Sequence, residues 1–378
     1  MDILFIVNSF STGGFQQLTL DLVRQLTPRG FRFRMVCLKR RGSLADELEA
    51  AGCPVDAGFL RHKFDVFALW RILRALRGDR SRLIFSEPGR NALLVDRVLA
   101  ALSPGRAHVS AIHATGRWGH DHMFSPDVRW ILRRLNGVIA CAGVQKEYLV
   151  REEGICPDNL HVIFNGVDHR KFRPLDRAGL PPIADGPAPG EKAVGIVASL
   201  TPEKAHDVFV RAARLTLNAV PEARFYILGD GPERERIATL IREESLTDSV
   251  KLLGRRRDLP TFLPRLDLLA LSSHPFRETL PISTTEGMAC GIPTVNTEVG
   301  SVRDLVVDGE TGWIVPPGDP EALAAAFVRV LEDPAQAARM GAAGRQRVED
   351  HFTLDRTVND YADYFRRIVG GNQEEDRS

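Results

Sequence analysis

The sequence predicts an α/β protein built as two doubly wound parallel sheets. Three observations carry that prediction. Short β-rich runs alternate with longer segments of helical period along nearly the whole chain, which is the pattern of βαβ units. The runs are almost unbroken in apolar residues, as strands buried on both faces require. The chain has 378 residues, more than one core of about 100–200 residues normally serves, so two domains of similar size are expected.

In the first half the strands are expected at Ile3–Val7, Arg34–Leu38, Leu83–Phe85, Val109–Ile112, Val138–Cys141 and Val162–Phe164. Helical period fills Phe15–Thr27, Leu44–Ala51, Val66–Arg77 and Val128–Leu135 between them. The alternation restarts after residue 190, with strands at Ala193–Ala198, Arg224–Leu228, Val250–Leu253, Leu268–Leu271, Pro293–Asn296 and Trp313–Val315. The stretch Arg173–Lys192 carries Pro174, Pro181, Pro182, Pro187 and Pro189 among glycines, a loop composition that marks a domain boundary. The expected organisation is an N-terminal domain over 1–172, a linker over 173–192, and a C-terminal domain over 193–352. A last helix over 353–370 and a disordered tail over 371–378 complete it.

Composition excludes several classes. A hydrophobic share of 44% and a charged share of 26% describe an ordinary globular protein. Fifty Lys and Arg against 49 Asp and Glu leave a net charge of +1, which argues against a protein organised around nucleic acid. The balance hides a split. Residues 1–170 hold 24 basic and 17 acidic side chains, and residues 171–378 hold 26 and 32. Either one half faces an anionic partner or the halves attract one another. The five cysteines are an odd, widely spaced set without a Cys-x-x-Cys pair, which excludes a disulfide framework and a cysteine zinc site. No run approaches the roughly 18 apolar residues of a spanning helix, and no secretory signal opens the chain. A cytoplasmic location, with any membrane contact peripheral, is the expectation.

In doubly wound folds ligands bind outside the carboxyl ends of strands, so the loops after strands are where chemistry is sought. Asn8-Ser9-Phe10-Ser11-Thr12-Gly13-Gly14-Phe15 follows the first strand and opens a helix. Paired glycines there admit close approach of an anion to free N–H groups, or form an ordinary tight turn. The spacing matches neither a dinucleotide fingerprint nor a Walker loop. Ser199-Leu200-Thr201-Pro202-Glu203-Lys204 follows the first strand of the second half and points Lys204 either at an anion or at solvent. His274 to Pro293 is more specific, with Glu278 in a loop and Glu286 eight positions on in a helix. Two such carboxylates can accept paired sugar hydroxyls, or serve as a cap and a surface residue.

Taken together, Gly13-Gly14, Asn165-Gly166-Val167-Asp168, Pro202-Glu203-Lys204, Gly229-Asp230-Gly231-Pro232, Glu278-x7-Glu286 and Asp308-Gly309-Glu310-Thr311-Gly312 resemble family 4 of the retaining glycosyltransferases. The resemblance covers about residues 1–370 in the expected order, and Glu-x7-Glu running into Gly-Met-Ala-Cys-Gly-Ile-Pro is its most specific part. It implies the GT-B fold: two Rossmann-like domains facing a cleft, with the C-terminal helix crossing back to the N-terminal domain. It also implies a nucleotide-sugar donor (UDP-, GDP- or ADP-linked) bound by the C-terminal domain.

By that resemblance Glu278 binds hydroxyls of the donor sugar, assisted by the N–H groups of Thr279 and Leu280, and Glu286 binds the ribose. Gly13 and Gly14 supply N–H groups to the diphosphate, Lys204 neutralises it as it departs, and His113 lies near the reacting sugar. The family works without bound metal and without a protein nucleophile, so no cofactor is expected. His113 with His120 and His122 reads as part of a polar loop rather than a metal cluster. One position departs from the pattern. The family commonly has an arginine where this chain has Ser199, and Arg255 and Arg277 are the candidates to replace it.

The acceptor, a glycan, a lipid-linked sugar or a small molecule, is expected on the first domain. The stretch Phe64 to Arg77 has helical apolar period with Arg71, Arg74 and Arg77 spaced three apart. It reads either as a core-facing helix with a solvated basic edge or as a helix lying against an anionic membrane. The implied function is synthesis of cell-surface polysaccharide or glycolipid by retaining sugar transfer. The alternatives are a sugar-nucleotide binder that transfers nothing and a nucleotide-sugar epimerase.

Overall fold

The computed structural model describes every residue except 11–13, 63–64, 66, 104, 114–122, 276–277 and 376–378. The chain forms two compact units. Among the described residues, one takes in Met1 to Phe164 and resumes at Thr357, and the other runs from Asn165 to Arg356.

The first unit holds a seven-stranded sheet of β1 (Asp2–Val7), β2 (Arg32–Cys37), β3 (Val55–Ala57), β4 (Leu83–Ser86), β5 (Ala107–Ile112), β6 (Gly137–Ala140) and β7 (Leu160–Val162). The order is β3-β2-β1-β4-β5-β6-β7 and the pairs are parallel. Alternation along each strand sends residues to opposite faces. Leu4, Ile6, Val36, Leu38 and Ile84 pack against Ile72, Leu76, Ala92 and Leu99 of the helices Ala68–Ala75 and Arg90–Leu102 and the turn after the first of them. On the other face Phe85 meets Phe5, and also Tyr361 and Phe365 of the C-terminal helix Leu354–Glu375, edge to face.

The second unit holds a six-stranded sheet of β8 (Ala193–Val197), β9 (Arg224–Leu228), β10 (Val250–Gly254), β11 (Leu268–Leu271), β12 (Thr294–Thr297) and β13 (Gly312–Val315). The order is β10-β9-β8-β11-β12-β13, again with parallel pairs. Its core centres on Phe209, Phe225 and Phe327, all fully buried and mutually packed. Each such side chain stabilises the unit by about 1.5–3 kcal/mol.

Two boundaries differ from the sequence expectation. The proline-rich stretch 173–192 is not a free linker: it lies in the second unit, whose first described residue is Asn165. Arginines hold it there. Arg177 pairs with Asp267 at 2.7 Å and donates to the carbonyls of Pro264 and Leu266, and Arg265 donates to Pro181 O at 2.7 Å. Arg345 Nη1 donates to His169 O and Phe172 O at 2.9 and 2.8 Å. Prolines lack N–H groups but keep their carbonyls, so guanidinium donors are the natural way to fix such a segment. At the C-terminus the final helix continues through Glu375 rather than ending near residue 370.

Candidate active site

In the second sheet the chain order reverses direction between β8 and β11, which are neighbours although β9 and β10 intervene in sequence. The loops leaving such a pair diverge to opposite faces and open a crevice at the carboxyl ends. The structure brings together there the two segments singled out above. Lys204 Nζ, from the loop after β8, lies 2.5 Å from Glu278 Oε2, from the loop after β11. Glu278 is buried, and Ser273 Oγ donates to the same carboxylate oxygen at 2.9 Å. Ser272 Oγ donates to Lys204 O at 2.8 Å and His274 N to Glu203 O at 2.9 Å, so each loop is fastened to the other by backbone as well as by charge.

The turn after β12 completes the support. Ser301 N donates to Thr279 O at 2.7 Å, and Thr297 Oγ1 to Ser273 O at 2.8 Å. Gly300 has φ +52, and a Cβ there would stand 2.5 Å from Glu278 O, so only glycine lets this turn lie against the Glu278 loop. Thr279 and Leu280 are buried beside Glu278. Glu286 lies in the helix Ile282–Ala289, and burial pushes its carboxyl up to about 7, with the positive Lys171 opposing that rise.

Lys204 ends a short 3-10 turn and is followed by Ala205 at φ +46, ψ +48, a left-handed conformation for a residue with a Cβ. That kink starts the helix His206–Ala219. His206 is buried next to Lys204, and burial together with the lysine charge pushes its pKa down to about 4, so it is neutral near pH 7.

Not every expected site residue joins this set. Ser199 is exposed and among the described residues its hydroxyl reaches only Thr201 Oγ1, at 3.3 Å. Arg255 is exposed directly after β10, two strands away from β8, and among the described residues no hydrogen bond or ion pair links it to Lys204 or Glu278. Arg277 and Gly13 lie outside the described residues, as do His120 and His122. In the first unit, Gly14 opens the helix Gly14–Leu26, and His113 follows β5 directly and is partly buried. Among the described residues no three His, Cys, Asp or Glu side chains gather as a metal-ion site would require.

Several of the matching motifs prove to be scaffold. In Gly229-Asp230-Gly231-Pro232, Asp230 O accepts from Leu200 N at 3.1 Å, and a Cβ at Gly229 would stand 1.8 Å from Ala198 O. Asp168 Oδ1 accepts from Arg170 N and Lys171 N, and Asp308 Oδ1 from Ile314 N, each closing a turn. Residues the sequence reading did not single out are Ser272 and Ser273, which leave β11, and Gly300 and Ser301. In the first unit Glu87 is another. Strands β1 and β4 are neighbours there as β8 and β11 are in the second, and Glu87, after β4, accepts from Asn8 N at 2.7 Å, after β1. Position directly after an adjacent-strand pair was the available signal.

The chain has known relatives in sequence and in fold. The sequence model for Glycosyl transferases group 1 matches residues 184–347, and that for Glycosyltransferase Family 4 matches residues 12–171. The chain is 27% identical over 211 residues to the N-acetyl-alpha-D-glucosaminyl L-malate synthase of Bacillus anthracis, covering 56% of this chain and 54% of that protein. The match thus spans about half of that relative's length. It is 28% identical over 250 residues to a lipopolysaccharide core biosynthesis mannosyltransferase of Rhizobium leguminosarum, covering 65% of this chain and 68% of that one. In fold it resembles the Anabaena protein HepE, crystallised in complex with UDP, with a TM-score of 0.82 and 21% identity over 97% of this chain and 100% of that one.

Proposed function

The chain belongs to the family 4 glycosyltransferases of the GT-B fold, and we propose that it moves a sugar from a nucleoside-diphosphate sugar to a hydroxyl of a glycan, lipid-linked or small-molecule acceptor, with retention at the anomeric carbon. One observation carries the reading: Lys204 and Glu278 meet at the exit of β8 and β11, a cation for phosphate beside an acceptor for sugar hydroxyls. That HepE was crystallised with UDP supports a nucleotide-sugar donor. The lipopolysaccharide relative supports a part in cell-surface glycan synthesis.

In the proposed step the bond from the anomeric carbon to the diphosphate oxygen breaks, and its electron pair leaves with the nucleoside diphosphate. The acceptor oxygen bonds the anomeric carbon on the same face, and its proton passes to a phosphate oxygen of the leaving group. Charge therefore grows on phosphate, where Lys204 and the N–H groups of Gly13 and Gly14 are assigned to meet it. Glu278 orients the sugar by accepting from its hydroxyls, with the Thr279 and Leu280 N–H groups beside it, and Glu286 takes the ribose. His113 is assigned a place near the reacting sugar, and Arg277 or Arg255 the role of the missing arginine. Lys204, rather than a metal ion, supplies the cation.

A second reading rests on Ser199: without the arginine, the site binds a sugar nucleotide but does not break it. A thermal-shift screen with UDP-, GDP-, ADP- and TDP-sugars, followed by assay of nucleoside diphosphate release, separates the two. Release that disappears in Glu278→Ala and survives a chelator supports transfer. A thermal shift with no release under any condition supports the silent binder.

A further inference from the structure

One face of the first unit is built unlike the rest of the surface. The helices Ala68–Ala75, Arg90–Leu102 and Pro126–Leu132 follow strands β3, β4 and β5 and cover the same side of the sheet. Their inner residues, Ile72, Leu93, Leu99, Val128 and Ile131, are buried. Their outer residues are not the polar set a solvated helix layer carries. Seven large hydrophobic side chains are exposed among the described residues, and five belong to this layer: Phe67 (68%), Trp70 (58%), Leu94, Leu102 and Trp130 (46%).

The charge on the layer has one sign. Residues 67–106 and 123–136 hold eleven arginines and four carboxylates. All four carboxylates are engaged inward or in pairs: Asp79 with Arg106 at 3.2 Å, Glu87 with Asn8 N, buried Asp96 with Ser86 and His108, and Asp127 with Arg90 at 2.5 Å. Arg74, Arg77, Arg80 and Arg134 are exposed, and among the described residues none of them pairs with a carboxylate. Two of these sit on the exposed tryptophans. The Arg74 guanidinium lies 5.4 Å from the Trp70 ring, and Arg134 and Arg97 lie 4.1 and 5.5 Å from the Trp130 ring.

From this we infer that the three-helix layer docks on an anionic lipid bilayer. Tryptophan with arginine stacked on it suits the boundary where acyl chains meet headgroups: the ring is amphipathic and the cation reaches phosphate. Phe67, Leu94 and Leu102 gain from hydrocarbon and nothing from a phosphate rod, which favours a bilayer over nucleic acid. On this face four exposed arginines without carboxylate partners among the described residues stand among exposed apolar side chains, a combination complementary to a negative lipid surface. The inference stands on this face alone and is independent of the transfer reaction.

Vesicle flotation of the full chain tests it. Wild type is expected to float with phosphatidylcholine vesicles containing about 30% phosphatidylglycerol at low salt, to bind far less at high salt, and not to float with pure phosphatidylcholine. Arg74→Glu with Arg134→Glu is expected to weaken binding at least tenfold. Trp70→Ala with Trp130→Ala is expected to weaken it several-fold and to remove the quenching of tryptophan fluorescence by brominated acyl chains. Both variants alter exposed side chains, so their circular dichroism and Tm should match wild type. The inference is overturned if wild type ignores anionic vesicles, if either folded variant binds as well as wild type, or if bound wild type is not quenched. It also falls if the face instead holds a second copy of the chain, seen as a dimer that Trp130→Ala dissolves.

Discussion

Lys204 Nζ stands 2.5 Å from Glu278 Oε2, although 74 positions separate the two residues. The pairing follows from topology: β8 and β11 are adjacent, so the loops that leave them share one crevice. The ion pair fixes the two side chains against each other before a ligand arrives. Glu278→Ala or Lys204→Ala should each lower nucleoside diphosphate release about 10²–10³-fold, the usual effect of removing one group aimed at developing charge. Full activity in either variant would place the chemistry elsewhere.

Glu286 gives a pH dependence with a definite sign. Its carboxyl is raised to about 7 by burial, and the ionised form is the acceptor that ribose hydroxyls need. Donor affinity should therefore rise from pH 6 to pH 8, by up to about tenfold, and the rise should be absent in Glu286→Gln. A nucleotide sugar is the proper titrant, because its diphosphate diester does not titrate in that range. The stability effect runs the other way: the folded chain keeps a proton that the unfolded chain loses near its ordinary pKa. This contribution to stability is greatest at low pH and declines as pH rises through about 7. Calorimetric melts of wild type and Glu286→Gln should accordingly diverge as pH rises from about 4.5 to about 7 and stay apart above it, with the variant the more stable there.

Ala205 is held at φ +46, ψ +48 between Lys204 and the helix it introduces. A left-handed residue with a Cβ costs roughly 1–2 kcal/mol, which glycine avoids at a smaller entropic cost. Ala205→Gly should raise stability by about 0.5–1 kcal/mol, and Ala205→Val, β-branched in a buried site, should lower it by more than that. A lowered Tm for Ala205→Gly would contradict the conformation described.

In the first unit Asp96 is fully buried and accepts from Ser86 Oγ at 2.7 Å and from the His108 ring. Removing it strands both partners. Asp96→Ala should cost about 3–5 kcal/mol in chemical denaturation, while Asp96→Asn, which keeps a hydrogen-bonding shape, should cost less. Equal, small losses for both would mean that the network adds little.

Much of the fold was legible because buried parallel strands write themselves as unbroken apolar runs: Ile3–Val7 and Leu268–Leu271 are examples, and both are strands. Val55–Ala57 carries no such run, being an edge strand of three residues none of which is buried, and pattern alone does not find it. The stretch 173–192 has the composition of a linker, yet Arg177, Arg265 and Arg345 tie it and its flank to the second unit through partners far away in sequence. Glu278, Lys204 and Glu286 were singled out by their motifs' resemblance to a family, since spacing alone left each open between a ligand contact and a cap or surface residue. Ser273 and Gly300 were not, since their roles appear only once β11 and β12 lie side by side.

On the proposed reading Lys204 and Glu278 divide one donor between them, and calorimetric titration tests that division most directly. Each protein is titrated with the nucleotide sugar that wild type binds and with the matching nucleoside diphosphate. Lys204→Ala should weaken both ligands about tenfold or more, whereas Glu278→Ala should weaken the nucleotide sugar and leave the diphosphate nearly unchanged. If both variants bind both ligands as wild type does, the crevice between β8 and β11 is not the donor site.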